Sequence, residues 1–425
     1  MTIALFLLVL FVTMTVGVPI AFALMLTALA LMVHLDFFDA QLLAQNVQAG
    51  FDSFPLLAVP FFILAGELMN AGGLSRRIID LARSMVGHVP GGLGYVAIAA
   101  SVLLASMSGS AIADTAALAT LLLPMMRRQN YPDGSSAGLI ASGGIIAPII
   151  PPSMPMVIYG VTTNTSISKL FLAGIVPGLM MAIALVMVWR WVARTQQLSV
   201  AEKTTWPERR RVLASSGWAL MMPVIIIGGL RMGFFTPTEA AVVAAVYALI
   251  VATFIYRELT LHGIYRVLVD AARTTGVVMF LCGAATAASY MITLADLPNE
   301  LAKSMGPLLS QPMLFMAVVC VFLLAVGMVM DLTPTILILA PVLSPLAAKA
   351  GIDPVYFGFM FIFVGCLGLL TPPVGTVLNV VAGIGQIRME TVIRGVMPFL
   401  LIYMAMLVLL IVFPAIVVWP LKLMF

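Results

Sequence analysis

Ser106-Met107-Ser108-Gly109-Ser110-Ala111-Ile112-Ala113-Asp114-Thr115 interrupts an apolar run that extends from 93 to 127. Gly327-Met328-Val329-Met330-Asp331-Leu332-Thr333-Pro334 interrupts a second run, from 313 to 347. Each half is about 14–17 residues long, short of the roughly 20 that a helix needs to cross a bilayer. Both runs therefore read as re-entrant hairpins that enter and leave on one side. Irregular backbone at that depth is tolerated only where it lines a cavity or is buried in protein.

The rest of the chain fits a lipid solvent. Of 425 residues 62% are hydrophobic and 9% charged, against roughly 25% charged in a soluble domain. One or two soluble cores could not hide that much apolar surface. A soluble enzyme, a disulfide scaffold and a nucleic-acid-binding domain are excluded. The net charge of +4 fits Lys and Arg in cytoplasmic loops.

Apolar stretches mark spans at about 3–33, 54–73, 136–161, 170–192, 212–230, 238–256, 274–293, 353–385 and 394–418. The first lacks a basic n-region and is too long for a signal peptide, so it reads as a span. Loops holding Arg76, Arg77 and Arg83, then Arg127 and Arg128, then Arg190 to Arg211, then Arg257 and Arg266 belong inside. The loop His34 to Asp52, with three aspartates and no Lys or Arg, belongs outside, as does 295–312. The N-terminus then falls inside. Residues 75–88 and 258–272 read either as helices along the cytoplasmic face or as solvated loops. Gln196 to Arg211 is the sizeable polar linker.

Soluble chemistries find no support. Cys282, Cys320 and Cys366 form no CxxC pair, and His34, His88 and His262 lack ligand spacing. No P-loop, HExxH or GxGxxG occurs. Gly134 to Gly138 spells GxSxG, but it follows Tyr131-Pro132-Asp133 and not a strand. Thr236-Pro237-Thr238-Glu239 fits a capping box, so Glu239 is structural. Asp353-Pro354 reads as another helix start, and Glu67 as interfacial. Gly174 and Gly178 form a lone GxxxG, a weak signal of close packing.

An internal repeat is the strongest signal. A shift of 217 places Gly66 on Gly283, Asp114 on Asp331 and Pro124 on Pro341. After a four-residue insertion the shift is 221, and Pro151-Pro152 falls on Pro372-Pro373, Gly174 on Gly395 and Pro177 on Pro398. Six ordered anchors at two offsets are hard to obtain by chance. The assigned sides make the halves opposite in orientation. The fold class is an all-α polytopic membrane protein, an inverted repeat with two re-entrant hairpins and two broken helices, the architecture of secondary transporters. The first repeat takes 1–195, the linker and a connecting span 196–237, and the second repeat 238–425.

The chemistry sits at the breaks. Asp114 and Asp331 are carboxylates at a depth where an unpaired charge costs several kcal/mol. Each either caps the half-helix that follows or helps bind a cation, and the symmetry favours the cation. Ser106, Ser108, Ser110 and Thr115 supply hydroxyls on one side, Thr333 and Thr335 on the other. Gly143-Gly144 to Pro151-Pro152 and Gly365 to Pro373-Gly375 free backbone carbonyls. Oxygen donors without sulfur or imidazole favour a hard ion: sodium first, a proton second. Half-helices starting at Ser153 and Val374 aim positive ends at the cavity and suit an anion, with Asn379 as a further donor. The alternative is that each Pro-Pro pair kinks a core helix.

The runs Ser106 to Ala116, Ile146 to Ser153, Gly327 to Pro334 and Leu370-Thr-Pro-Pro-Val-Gly375 together resemble one family. It is the large membrane subunit, the DctM or M subunit, of tripartite ATP-independent periplasmic (TRAP) transporters. Phe61 to Met69 and Phe235-Thr-Pro-Thr-Glu-Ala240 look similar too, and the likeness covers essentially the whole chain. Several runs resemble the branch that takes up 2,3-diketo-L-gulonate in enteric bacteria.

The resemblance implies a sodium-driven, elevator-type importer of organic acids in the bacterial inner membrane. It implies a small four-helix membrane subunit and a periplasmic binding protein as partners, sodium as the coupling ion and no other cofactor. It places one sodium site at Ser106, Ser108, Ser110, Asp114 and Thr115 with Gly144, Ala147 and Pro148. A second falls at Gly327, Asp331 and Thr333 with Gly368, Thr371 and Pro372. Substrate is expected near Pro151, Pro152, Ser153, Pro373, Gly375 and Asn379. The chain departs from the family at Thr293-Leu294-Ala295-Asp296, where many members carry an Arg. Either other donors hold the anion, or the substrate differs from the dicarboxylates. The rival reading is a stand-alone anion symporter of the divalent-anion type, which needs no binding protein. An intramembrane enzyme lacks a plausible nucleophile–base pair or metal set.

Overall fold

The computed structural model describes residues 2–196, 198 and 205–422, and all regular structure among them is helical. The chain opens with α1 (Thr2–Thr15) and α2 (Ile20–His34), which pack on each other. The stretch 3–33 is thus two helices and not one span. Gly17 has φ +90°, and the Val18 N–H reaches back to the Thr13 carbonyl. Pro19 then forbids continuation of the helix. Two antiparallel helices put the chain start on the side of the His34–Asp52 loop, which removes the basis for an inside N-terminus.

Asp39 caps α3 (Ala40–Phe51) by accepting from the Gln41 and Leu42 N–H groups at 2.8 and 3.0 Å. A 3-10 turn at Phe54–Leu57 leads into α4 (Ala58–Ala71), the expected second span. The 75–88 segment is a helix, α5 (Leu74–Val86), which buries Leu74, Ile78, Ile79 and Ala82 against its neighbours. The first hairpin is α6 (Gly92–Ser108) and α7 (Ala111–Arg128). The first broken helix is α8 (Asp133–Gly144) and α9 (Met154–Thr163), so the GxSxG run lies inside a helix. Next come α10 (Ile167–Thr195) and α11 (Trp206–Arg231). Residues 197 and 199–204 of the expected linker lie outside the described residues, and its charged end already belongs to α11.

The second half begins with α12 (Pro237–Ile250), which runs on into a π turn at Val251–Ile255. Thr236 and Glu239 form the expected capping box at its start. Of the segment 258–272, residues 258–260 form a short connection and the rest is the first part of α13 (Leu261–Leu294), a single helix of 34 residues. Then follow α14 (Leu297–Ser304), α15 (Gly306–Leu309) and the second hairpin, α16 (Pro312–Gly327) and α17 (Leu332–Lys349). Asp353 caps α18 (Pro354–Leu370), whose chain breaks before α19 (Thr376–Gly385). The chain ends with α20 (Met389–Val412) and α21 (Ala415–Lys422), so the expected span 394–418 is interrupted at Phe413-Pro414.

Among the described residues seven helices are long and apolar enough to cross a membrane, Leu332–Lys349 among them. The hairpin arms are therefore somewhat longer than expected, at 17, 18, 16 and 18 residues.

The repeat is visible in the helices. α7 and α17 are both 18 residues long, with Pro124 and Pro341 at matching places, and α9 and α19 are both 10. The Pro151-Pro152 and Pro372-Pro373 bonds are both cis. The offset of 217 also carries α2 onto α12. Packing is reciprocal: α7 lies on α19 and α17 on α9, while α2 lies on α13 and α12 on α4. Each half thus completes the other.

Close helix contacts rest on glycine. A Cβ on Gly138 would sit 2.4 Å from the Gly395 backbone, at the α8–α20 crossing. Backbone cannot move aside as a side chain can. Gly138→Ala should lower stability by about 1–3 kcal/mol, the range for overpacking. Gly228, in α11, has nothing within 4 Å of a Cβ, so Gly228→Ala should be neutral or stabilising by up to about 1 kcal/mol. Thermal unfolding of the two variants in detergent checks the contrast.

Candidate functional site

The turn of the first hairpin is Gly109, in the left-handed conformation at φ +63°. A Cβ there would lie 2.9 Å from the Met154 nitrogen and 3.1 Å from the Pro152 carbonyl, so the tip seats against the first break. Ser110 caps α7 by accepting from the Ala113 N–H at 3.3 Å. Asp114 is therefore not the cap. Its side chain is buried, and Oδ1 accepts from the Ser108 hydroxyl. Its Oδ2 has no partner, and neither has the Oγ1 of the adjoining, fully buried Thr115. A Cβ on Gly144 would fall 1.7 Å from Thr115 Oγ1, so the end of α8 lies directly over that hydroxyl. Gly66, in α4, passes 3.7 Å from the Ser108 Cα by the same measure.

Of the first expected group, Ser108 is paired with Asp114, and Gly144 lies against Thr115. Ser106 is buried and donates to the Leu103 carbonyl at 2.7 Å. Ala147 is buried within the break. Pro148 supplies a carbonyl that accepts from Ser153 at 2.6 Å. Ser110 and Pro148 also line a cavity of ≈ 50 Å³.

That cavity joins the two halves, because Asp331, Thr333 and Leu369 line its other side. The hairpin tips thus meet across a space that fits a water or an ion but no organic solute. Asp331 differs from its counterpart: it is half-buried and occupies the N-cap position of α17, without a side-chain cap bond. Thr335 donates to its carbonyl at 2.8 Å. Gly327 and Gly368 touch through their backbones, with a Gly327 Cβ 3.0 Å from the Gly368 Cα. The Gly375 N–H donates to the Met328 carbonyl at 3.1 Å, which ties the second tip to the second break. Thr371 turns back onto the Leu367 carbonyl at 2.6 Å, and Pro372 precedes the cis bond.

The residues expected near substrate divide. Pro151, Pro152 and Ser153 are buried, and Ser153 both donates to Pro148 and caps α9. Pro373 and Asn379 are exposed, and the Asn379 amide donates to the Val374 carbonyl at 3.3 Å. Gly375 is buried at φ +50° and caps α19, which begins two residues after Val374.

Sequence reasoning undervalued Gly174 and Gly178. Their Cβ atoms would fall 2.2 Å from the Ile149 carbonyl and 2.5 Å from Ile150. The GxxxG in α10 is the bed on which the first break lies. The near neighbours of Pro151-Pro152 were the available signal.

Residues 7–416 match the model of the tripartite ATP-independent periplasmic transporter, DctM component. The chain belongs to the DctM family. It is a TRAP large permease, a multi-pass membrane transporter subunit and not an enzyme. This DctM protein is 55% identical over 407 residues to the 2,3-diketo-L-gulonate TRAP transporter large permease YiaN of Escherichia coli, covering 96% of each chain. It is 41% identical to the sialic acid TRAP large permease SiaM of Vibrio cholerae, over 94% of this chain and 93% of that one. Its fold matches the solved YdaH transporter of Alcanivorax borkumensis with a TM-score of 0.61 at 14% identity, over 88% and 87% of the two chains.

The site predicts a contrast in stability. Gly144→Ala must displace Thr115 and should cost about 1–3 kcal/mol. Thr115→Val removes a buried hydroxyl that has no partner, so in sodium-free buffer it should be neutral or stabilising. Unfolding temperatures of both in detergent give the answer.

Proposed function

We propose that this DctM subunit drives sodium-coupled import of an organic acid, delivered by a periplasmic binding protein, in complex with a small four-helix membrane subunit in the bacterial inner membrane. The favoured solute is a keto sugar acid, in keeping with the name of its relative YiaN. The reading rests on one observation above all: Asp114 Oδ2 and Thr115 Oγ1, on adjoining residues of α7, are both buried without partners. A bare carboxylate at membrane depth is expensive. Oxygen ligands alone suit a hard monovalent or divalent cation and not a thiophilic metal.

Asp114, Thr115 and carbonyls near Gly144 to Pro148 would hold one sodium. Asp331 and Thr333, with carbonyls near Gly327, Gly368 and Thr371, would hold another. Each ion cancels a carboxylate charge and ties a hairpin tip to the opposing break. The solute carboxylate then docks near the exposed second break, at Pro373, Gly375 and Asn379, and near Pro151 to Ser153 once that region opens. The moving unit consists of both hairpins and both broken helices, and α2, α4, α12 and α13 stay fixed. An unloaded unit carries uncompensated charge into lipid and so remains in place, which couples ion and solute.

The test is uptake of labelled 2,3-diketo-L-gulonate into proteoliposomes holding this chain and its small subunit. An inward sodium gradient and the binding protein should both be required. Asp114→Asn should abolish uptake, and Asp331→Asn should weaken it less, because Asp331 is the less buried carboxylate. Thr115→Val should lose sodium-induced thermal stabilisation while its fold persists. Unaltered sodium dependence in both Asp variants would overturn the assigned ion sites. Uptake without the binding protein would point to a stand-alone symporter.

A further inference from the structure

A second cavity, of ≈ 420 Å³, lies away from the hairpin tips, between α3, α13 and the end of α9. Its volume falls in the range of about 300–1,000 Å³ usual for small-molecule sites. The polar lining includes Asn46, Ser53, Thr162, Thr286, Ser289 and Thr293, and no lining residue is charged. Thr286, Ser289 and Thr293 share one face of α13, spaced for a continuous stripe.

The hydrogen bonds already made give the cavity a chemical sense. Thr162 donates to the Ile158 carbonyl at 2.7 Å, Thr286 to Cys282 at 2.9 Å and Thr293 to Ser289 at 2.9 Å. The Asn46 amide nitrogen donates to Leu42 at 2.9 Å. Each of these groups gives a proton to the backbone, while Asn164, Ser289 and Tyr290 line the same cavity with further neutral hydroxyl and amide groups. A lining of neutral hydroxyls and amides, free of cations, suits a ligand whose groups both donate and accept. Carbohydrate hydroxyls do so, whereas a carboxylate finds no cation here.

Two walls of the cavity are rigid. A Cβ on Gly50 would lie 2.7 Å from both the Gly283 Cα and Thr286 Oγ1, so α3 and α13 are locked backbone to backbone. The third wall, with Thr162 on α9 and Leu337 on α17, belongs to the unit that carries the tips. By the charge rule this end of α13 and the start of α9's outer loop face outside.

We infer that this cavity is an entry site that holds the hydroxyl-bearing part of the incoming solute, between the fixed α3–α13 wall and the mobile α9 wall. The inference deepens the import reading and rests on it for the solute class. Movement of α9 and α17 against α3 and α13 reshapes the cavity, so the solute leaves it as the tips take up their load.

Site-directed labelling tests this directly. In a Cys282→Ala background, Ser289→Cys in sealed proteoliposomes should react with a membrane-impermeant maleimide from the outer face. The labelling rate should fall about tenfold when 2,3-diketo-L-gulonate is present at ten times its half-protecting concentration, by mass action. Succinate, which lacks hydroxyls, should give no protection. Thr293→Cys serves as the second reporter where Ser289→Cys folds poorly. Thr286→Val with Ser289→Ala should raise the KM of uptake about tenfold and leave its sodium dependence as it was. Labelling that 2,3-diketo-L-gulonate does not slow, protection equal with succinate, or labelling confined to the inner face would each overturn the entry site. Uptake is measured beside labelling: protection without uptake retains the entry site and rejects import of this acid, and uptake without protection does the reverse.

Discussion

A helix broken inside a bilayer exposes backbone groups that no water can satisfy, and the architecture of this permease follows from that constraint. The first break answers it largely within itself, with the Ile146, Ala147, Ile149 and Ile150 N–H groups each closing a short turn. It then presses its Ile149 carbonyl against Gly174 and takes the tip at Gly109 against Pro152. The second break instead borrows from the tip of the hairpin in its own repeat, through Gly375 and the Met328 carbonyl. The first break is covered by protein, whereas Pro373 and Val374 of the second are exposed. The covering requires small residues, because any Cβ at Gly109, Gly144 or Gly174 would enter a neighbour's volume.

Reciprocal packing turns two incomplete halves into one unit. With α7 on α19 and α17 on α9, neither hairpin has its full set of neighbours within its own repeat. This links the tips mechanically: a shift of one hairpin moves the half-helix that supports the other. The small cavity shared by Ser110, Pro148, Asp331 and Thr333 lies where those two supports meet. Under the proposed sodium coupling, an ion at one tip would be felt at the other without a long chain of contacts.

Much of this was legible in the sequence, for a physical reason. Breaks at membrane depth need Gly, Pro and polar residues in otherwise apolar runs, and Ser106 to Thr115 or Pro151-Pro152 stand out there. Caps were legible too, since Glu239 and Asp353 act locally. The N-terminal helix pair was harder to see. Its turn needs only Gly17, Val18 and Pro19, and apolar residues on both sides merge two helices into one stretch. The continuity of α13 was hidden for the opposite reason, since charges such as Arg266 and Asp270 mimic a loop although the backbone continues. Three-dimensional relations had no local signal. Thr115 and Gly144 were grouped only through the family resemblance, and nothing near Gly50 points to Gly283.

The two aspartates carry the remaining lesson. They align in the repeat, yet one is held inside α7 with an orphaned oxygen and the other stands at the N-cap of α17. A helix N-terminus already offers partial positive charge to a carboxylate, so Asp331 is stabilised in part before any ion arrives. Asp114 lies inside the first turn, behind a cap that Ser110 already supplies, and retains the greater unmet need. Equal residues in a repeat therefore need not have equal affinities. Under the proposed sodium coupling, the tip with the stronger need for a cation would fill first, and the pre-stabilised tip would then respond to the solute.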